Sequence, residues 1–76
     1  MNYLSMNELQ SLPISKQTGI VKFASGTMFW YFKGKLHRID GPAVEWHDGT
    51  KDYFLNNEIC SYQEWYTIVN NLEKFI

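Results

Sequence analysis

The sequence predicts an α+β fold in one domain spanning residues 1–76. It is an antiparallel β-meander of about six short strands, made of two hairpin repeats of about 23 residues, with a C-terminal amphipathic helix and a short N-terminal helix. Three observations carry this reading. Residues 20–37 match residues 43–60 at a fixed offset of 23, and the same turn signals recur in both copies. After Ser61 the apolar spacing changes from alternation to a helical period.

In the repeat, Val21 aligns with Val44, Phe23 with Trp46, and Ser25-Gly26-Thr27 with Asp48-Gly49-Thr50. Trp30-Tyr31-Phe32 then aligns with Tyr53-Phe54-Leu55, Lys33-Gly34 with Asn56-Asn57, and Leu36 with Ile59. Ser-Gly, Lys-Gly, Asp-Gly and Asn-Asn are read as two-residue turns, because each tolerates the positive φ angles that tight hairpins demand. Between them lie runs rich in aromatic and β-branched residues, which suit a pleated, half-buried surface. Strands are therefore expected near 19–24, 27–32, 35–39, 43–47, 50–55 and 58–60, all within the repeat region 19–60.

Alternation assigns Val21, Phe23, Trp30, Phe32, Leu36, Val44, Trp46, Tyr53 and Leu55 to one face, the expected core, with Lys22 and Glu45 opposite. The second face carries Phe29, Tyr31 and Phe54 beside Asp52. A half-aromatic outer face of this kind needs a cover, from the terminal segments, another subunit or a partner.

Between the repeats, Pro42 cannot donate a ladder hydrogen bond and drives Gly41 towards an extended conformation, so the sheet turns a corner there. Asp40 can accept from nearby backbone N–H groups and pair with Arg38. Ser61-Tyr62-Gln63-Glu64 is a capping box, followed at helical spacing by Trp65, Ile68, Val69, Leu72 and Phe75, which predicts a helix over 62–75 packed on one sheet face. Ser5 and Glu8 repeat the box, and Pro13 confines that first helix to about 5–12.

Composition sets the limits on function. A small domain buries little surface and needs added stabilisation; with Cys60 as its only cysteine, the chain has no internal disulfide. Aromatic residues, 17% of the sequence, are the expected substitute, with self-association as an addition. Seven Lys and Arg against eight Asp and Glu leave a net charge of −1 and no basic stripe, which argues against general nucleic-acid binding. The first seven residues lack the basic and apolar regions of a signal peptide, and Asn2 is not a myristoylation acceptor. The longest apolar run, Met28 to Phe32, cannot span a bilayer. The expectation is a soluble cytoplasmic protein without membrane association.

No catalytic constellation stands out. Cys60 takes the place of His37 in the repeat alignment, which favours a small packed residue over a thiol nucleophile served by His37 or His47. His37, Asp40, His47 and Asp48 match no zinc spacing, and both aspartates precede a turn glycine, so neither metal nor cofactor is expected. The aromatic residues Phe29, Trp30, Tyr31, Trp46, Tyr53 and Phe54 form a core and ordinary surface more readily than a base-stacking platform. The only concentrated cations beside them are Lys33, Lys35, His37 and Arg38.

The run Trp30-Tyr31-Phe32-Lys33-Gly34-Lys35-Leu36-His37-Arg38-Ile39-Asp40-Gly41-Pro42-Ala43 resembles the W-Y-x-N-G-x-x-H-R-x-D-G-P-A unit of MORN-like variant repeats, found in small bacteriophage and large-virus proteins. The likeness covers residues 20–60, and the second copy departs from it where Cys60-Ser61 replaces His-Arg. It implies a hairpin scaffold without chemistry of its own, in a phage- or mobile-element-encoded accessory protein that binds and inhibits a host protein such as a defence effector. The candidate contact residues are Phe29, Tyr31 and Phe54 on the outer face, with His37 and Arg38 at the corner. Two alternatives stand beside it: a module sequestering a nucleotide signal, with Lys35 or Arg38 on a phosphate, and a structural protein acting as a homo-oligomer.

Overall fold

The computed structural model describes residues 3–74. Strands run Tyr3–Leu4 (β1), Gly19–Lys22 (β2), Met28–Phe32 (β3), Lys35–Leu36 (β4), Val44–Glu45 (β5), Lys51–Leu55 (β6) and Glu58–Cys60 (β7). Helices run Met6–Gln10 (α1) and Tyr62–Lys74 (α2), with a 3-10 turn at Ile14–Lys16. The sheet order is β1-β2-β3-β5-β6-β7, with β4 paired to β3, so the expected α+β architecture is present.

Both capping boxes form. The Ser5 hydroxyl accepts from the Glu8 N–H at 3.1 Å while the Glu8 carboxylate accepts from the Ser5 N–H at 3.0 Å, and Ser61 with Glu64 repeats the pair at the same distances. Those hydrogen bonds hold the Glu8 and Glu64 carboxyls below their ordinary pKa. The first helix, expected over 5–12, is shorter: it ends at Gln10 with Ser11 as its C-cap, and Pro13 begins the 3-10 turn that follows. The sequence reading missed β1, a two-residue strand that pairs parallel to β2 through Tyr3 opposite Ile20 and Leu4 opposite Val21. Two residues carry no alternation to detect, so only tertiary pairing defines it.

The central strands are shorter than expected because β3 serves two neighbours. Its Trp30 carbonyl still accepts from the His37 N–H at 3.1 Å, but the Trp30 N–H donates instead to the Ala43 carbonyl at 2.7 Å. Beyond His37 the chain therefore leaves β3, rounds the corner, and returns beside the first half of β3 as β5, with Met28 opposite Glu45 and Phe29 opposite Val44.

The assignment of faces has to be corrected, and the reason lies in the turns. Lys33-Gly34 and Asn56-Asn57 are two-residue turns with positive φ at both positions, as expected. The Ser-Gly and Asp-Gly turns are longer. Phe23 donates to the Thr27 carbonyl and Trp46 to that of Thr50, which leaves three-residue loops at 24–26 and 47–49 closed by Gly26 and Gly49 in the left-handed region. One extra loop residue shifts the pairing by one and moves every subsequent side chain to the other face. Val21 lies opposite Phe29, not Trp30, and Val44 opposite Asp52.

One face therefore carries Val21, Phe23, Phe29, Tyr31, Leu36, Val44, Trp46, Asp52, Phe54 and Ile59. Trp30, Phe32, Tyr53 and Leu55, expected beside Val21, lie on the other. Of the expected core, Val21 and Val44 are buried at 0% and 2% exposure and Leu55 is also buried. Phe32 and Trp46 are exposed at 45% and 40%, the first at a turn flank and the second at a loop flank, where neighbours are few.

Helix α2 packs on the second face. Trp65 and Val69 bury against Leu55, with Tyr53 and Cys60 partly buried around them. Trp65 stacks on Tyr53 with ring centroids 4.8 Å apart, and its Nε1 donates to the Arg38 carbonyl at 2.8 Å. Ile68, expected on the buried stripe, is exposed, since the contact is made by the adjacent line of residues. The side chain of Leu72 and all of Phe75 lie outside the described residues.

Candidate binding surface

The face away from α2 is organised around Phe29. Val21 and Val44 flank it in the neighbouring strands. Phe23 meets it edge-on at 5.0 Å and 71°, Trp46 edge-on at 5.8 Å and 82°, and Tyr31 tilted at 6.3 Å. These are favourable aromatic geometries, so the cluster is fixed before any partner arrives. Trp46 Nε1 donates to Asp52 at 2.8 Å, which occupies the one carboxylate that the strands place on this face. An open groove of about 420 Å³ runs between Phe23, Ser25, Thr27, Phe29, Trp46 and His47. Its floor is locked: the buried Thr27 hydroxyl accepts from the His47 N–H at 3.1 Å and so joins the two three-residue loops.

At the corner, Arg38 acts as a clamp. Its guanidinium lies 4.1 Å from the centroid of the Trp30 ring. Nε meets Asp40 at 2.9 Å, and Nη1 donates to the Pro42 carbonyl at 3.0 Å and to Glu45 at 3.1 Å. Its backbone N–H donates to Phe54, and its carbonyl accepts from Trp65. Gly41 has no room for a side chain, because a Cβ there would sit 2.7 Å from the Arg38 Cζ. The His-Arg-x-Asp-Gly-Pro-Ala run is thus read by the fold itself: Arg38 bridges Asp40, Pro42 and Glu45.

His37 ties the corner to the second repeat. Its Nδ1 accepts from the Asn56 N–H at 3.0 Å, which fixes the neutral ring with its proton on Nε2. Burial pushes its pKa below the ordinary 6.5, so the ring is neutral at pH 7. Burial likewise raises the Tyr31 phenol, which stays protonated. Tyr31, Phe32, His37, Arg38, Ile39 and Asp40 enclose a second groove of about 290 Å³.

The structure thus brings Tyr31, His37 and Arg38 around one groove. It puts Phe29 beside Tyr31 and places Phe54 on the same face, its carbonyl bound by Arg38. Sequence reasoning missed Phe23, Trp46 and Ile59 as members of this face, because the loop length that puts them there is not encoded by residue type. Among the described residues, no three His, Cys, Asp or Glu side chains converge as a metal site would require. Asp48 is engaged by the Thr50 N–H at 3.0 Å and hydroxyl at 2.7 Å, which lower its pKa. The Cys60 thiol faces the Glu58 carbonyl at 3.6 Å, and no described helix is long and apolar enough to cross a membrane. No family model, curated protein or solved structure matches this chain.

Proposed function

We propose that this protein is a non-catalytic protein-binding module that engages its partner through the face carrying Phe23, Phe29, Tyr31, Trp46 and Phe54. One observation carries the reading: this face holds a pre-packed aromatic cluster in which Trp46 is exposed and Phe23, Phe29, Tyr31 and Phe54 are half-buried, whereas on the opposite face α2 covers Tyr53, Leu55 and Cys60. Rigid aromatic side chains lose little entropy on docking and dominate the energetics of protein interfaces. The strands place on this face a single charge, Asp52, already bonded to Trp46, which disfavours nucleic acids and nucleotides as ligands. The resemblance to MORN-like variant repeats extends the proposal: a phage-encoded accessory protein acting in the host cytoplasm, where it blocks a host protein such as a defence effector.

The test is native mass spectrometry of the tagged protein purified from host cytoplasm, beside a Tyr31→Ser/Phe54→Ser variant of unchanged melting temperature. A stoichiometric host protein present with the wild type and lost with the variant supports the proposal. A nucleotide-sized adduct or a bare homo-oligomer overturns it.

A further inference from the structure

The two repeats are joined by a specific backbone grip, and that grip recurs unused at the end of the second. In a two-residue hairpin the second pair from the turn is not hydrogen bonded, so its residues direct backbone N–H and C=O groups away from the partner strand. Leu36, opposite Tyr31, is in this position, and so is Ile59, opposite Phe54. The Leu36 groups are both used: its N–H donates to Asn57 Oδ1 at 2.7 Å and its carbonyl accepts from the Asn57 N–H at 2.9 Å. One residue on, the His37 ring accepts from Asn56. The first repeat thus holds the second by its Asn56-Asn57 turn.

Ile59 is the counterpart of Leu36 at the 23-residue offset. It is 65% exposed, and among the described residues its outward N–H and carbonyl have no partner. Lys51, the counterpart of Met28, is also exposed, and among the described residues no strand lies on the side where Met28 meets Glu45.

We infer that the outer edge of β7 at Ile59, with the neighbouring edge of β6 at Lys51, is a docking site for a β-hairpin turn of the Asn-Asn type, whose second Asn can both donate and accept as Asn57 does. That turn belongs to a different polypeptide. A second copy has no free turn of this kind to offer, because its Asn56-Asn57 is held by Leu36 and His37. Its Lys33-Gly34 is held equally, Lys33 N–H donating to Thr18 Oγ1 at 3.0 Å and Gly34 N–H to the Gln17 carbonyl at 2.9 Å. The partner is therefore a protein that presents a hairpin unit with an unoccupied turn. This site uses the outward backbone groups of Ile59 at the rim of the aromatic face and not the rings of that face, so either assignment can fail alone.

The probe is a head-to-tail cyclised peptide carrying residues 51–60 of this sequence with Cys60→Ser, titrated into the isotope-labelled full chain and followed by NMR. The expected result is saturable binding, with the largest amide shifts and new exchange protection at Ile59 and Lys51. An Ile59→Pro variant removes only an outward-facing N–H, which an edge strand tolerates. Binding should weaken about tenfold while the spectrum of the sheet is retained. If Ile59→Pro unfolds the chain, the hydrogen exchange of the wild-type Ile59 amide decides instead: protection by the peptide supports the site, and an unchanged rate overturns it. Absence of binding, shifts confined to Phe29 and Tyr31, or concentration-dependent self-association protecting Ile59 would each overturn the inference.

Discussion

Leu36-His37-Arg38 and Ile59-Cys60-Ser61 occupy the same place in consecutive repeats, yet the chain leaves them in opposite ways. After the first, Arg38 turns the chain back to the sheet and a new strand begins. After the second, Ser61 and Glu64 close a capping box and a helix begins. The hairpins upstream are alike, down to a register in which Val21 meets Phe29 and Val44 meets Asp52. The last three residues of a hairpin therefore decide the course of the chain beyond it. An arginine that can reach Asp40, Pro42 and Glu45 continues the sheet, and a serine with a glutamate three places on stops it.

The contrast can be broken at several points. The largest effect is expected where the two endings meet, at Trp65, whose ring packs against Tyr53 and whose Nε1 binds the Arg38 carbonyl. Trp65→Ala should cost about 3–5 kcal/mol in denaturant unfolding. Trp65→Phe, which keeps most of the packing and loses the hydrogen bond, should cost nearer ~1–2 kcal/mol. A Trp65→Phe variant as stable as the wild type would show that the bond to the first repeat contributes nothing, and a loss equal to that of Trp65→Ala would show that the packing adds nothing to it.

Removing the corner comes next. Arg38→Ala uncovers Trp30 and strands Glu45, and should destabilise by about 2 kcal/mol, with Gly41→Ala similar because its Cβ collides with the guanidinium. In the Arg38→Ala background the Gly41→Ala penalty should shrink, since the colliding group is gone. Additive losses in that double-mutant cycle would refute the clamp. At the second ending, Ser61→Ala should cost about 1 kcal/mol, the usual loss of a helix N-cap.

The smallest effect distinguishes His37 from Cys60, which stands in its place. The folded state holds His37 neutral and below its ordinary pKa, so the unfolded chain binds this proton more readily. Its contribution is present in full above the unfolded value of 6.5 and is lost as pH falls through the lowered folded value. Melting temperature should decline over that window, and His37→Gln should flatten the decline. Glu8, Asp48 and Glu64 act with the same sign but at lower pH, because their ordinary values are 4.5, 3.8 and 4.5. A slope unchanged by His37→Gln would place the sensitive group elsewhere.

Much of the fold was legible because it is local. Ser5 with Glu8, Ser61 with Glu64, Pro13 and the Asn56-Asn57 turn each act within a few residues, and each does what its chemistry implies. The faces were not legible. Ser25-Gly26 and Asp48-Gly49 suit a two-residue turn and a three-residue loop alike, and the choice between them depends on pairing across the whole sheet. Alternation along the sequence puts Phe29, Tyr31 and Phe54 together on one face, but it gives Phe23 and Trp46 to the other by that one-residue difference. The role of Arg38 was half visible: its pairing with Asp40 is a sequence neighbour effect, whereas Trp30, Glu45 and Trp65 reach it only through the tertiary fold.

The grip on the two-residue turns gives the molecule a direction. Gln17 and Thr18 hold Lys33-Gly34 as Leu36 and His37 hold Asn56-Asn57, so the N-terminal segment serves the first hairpin as that hairpin serves the second. Each unit is completed by the one before it. A deletion near the front should then unfasten the later units in succession. A side-chain change such as Ala24→Ser in the exposed loop before Gly26, which carries none of these grips and keeps the loop length that sets the register, should leave the chain of grips intact.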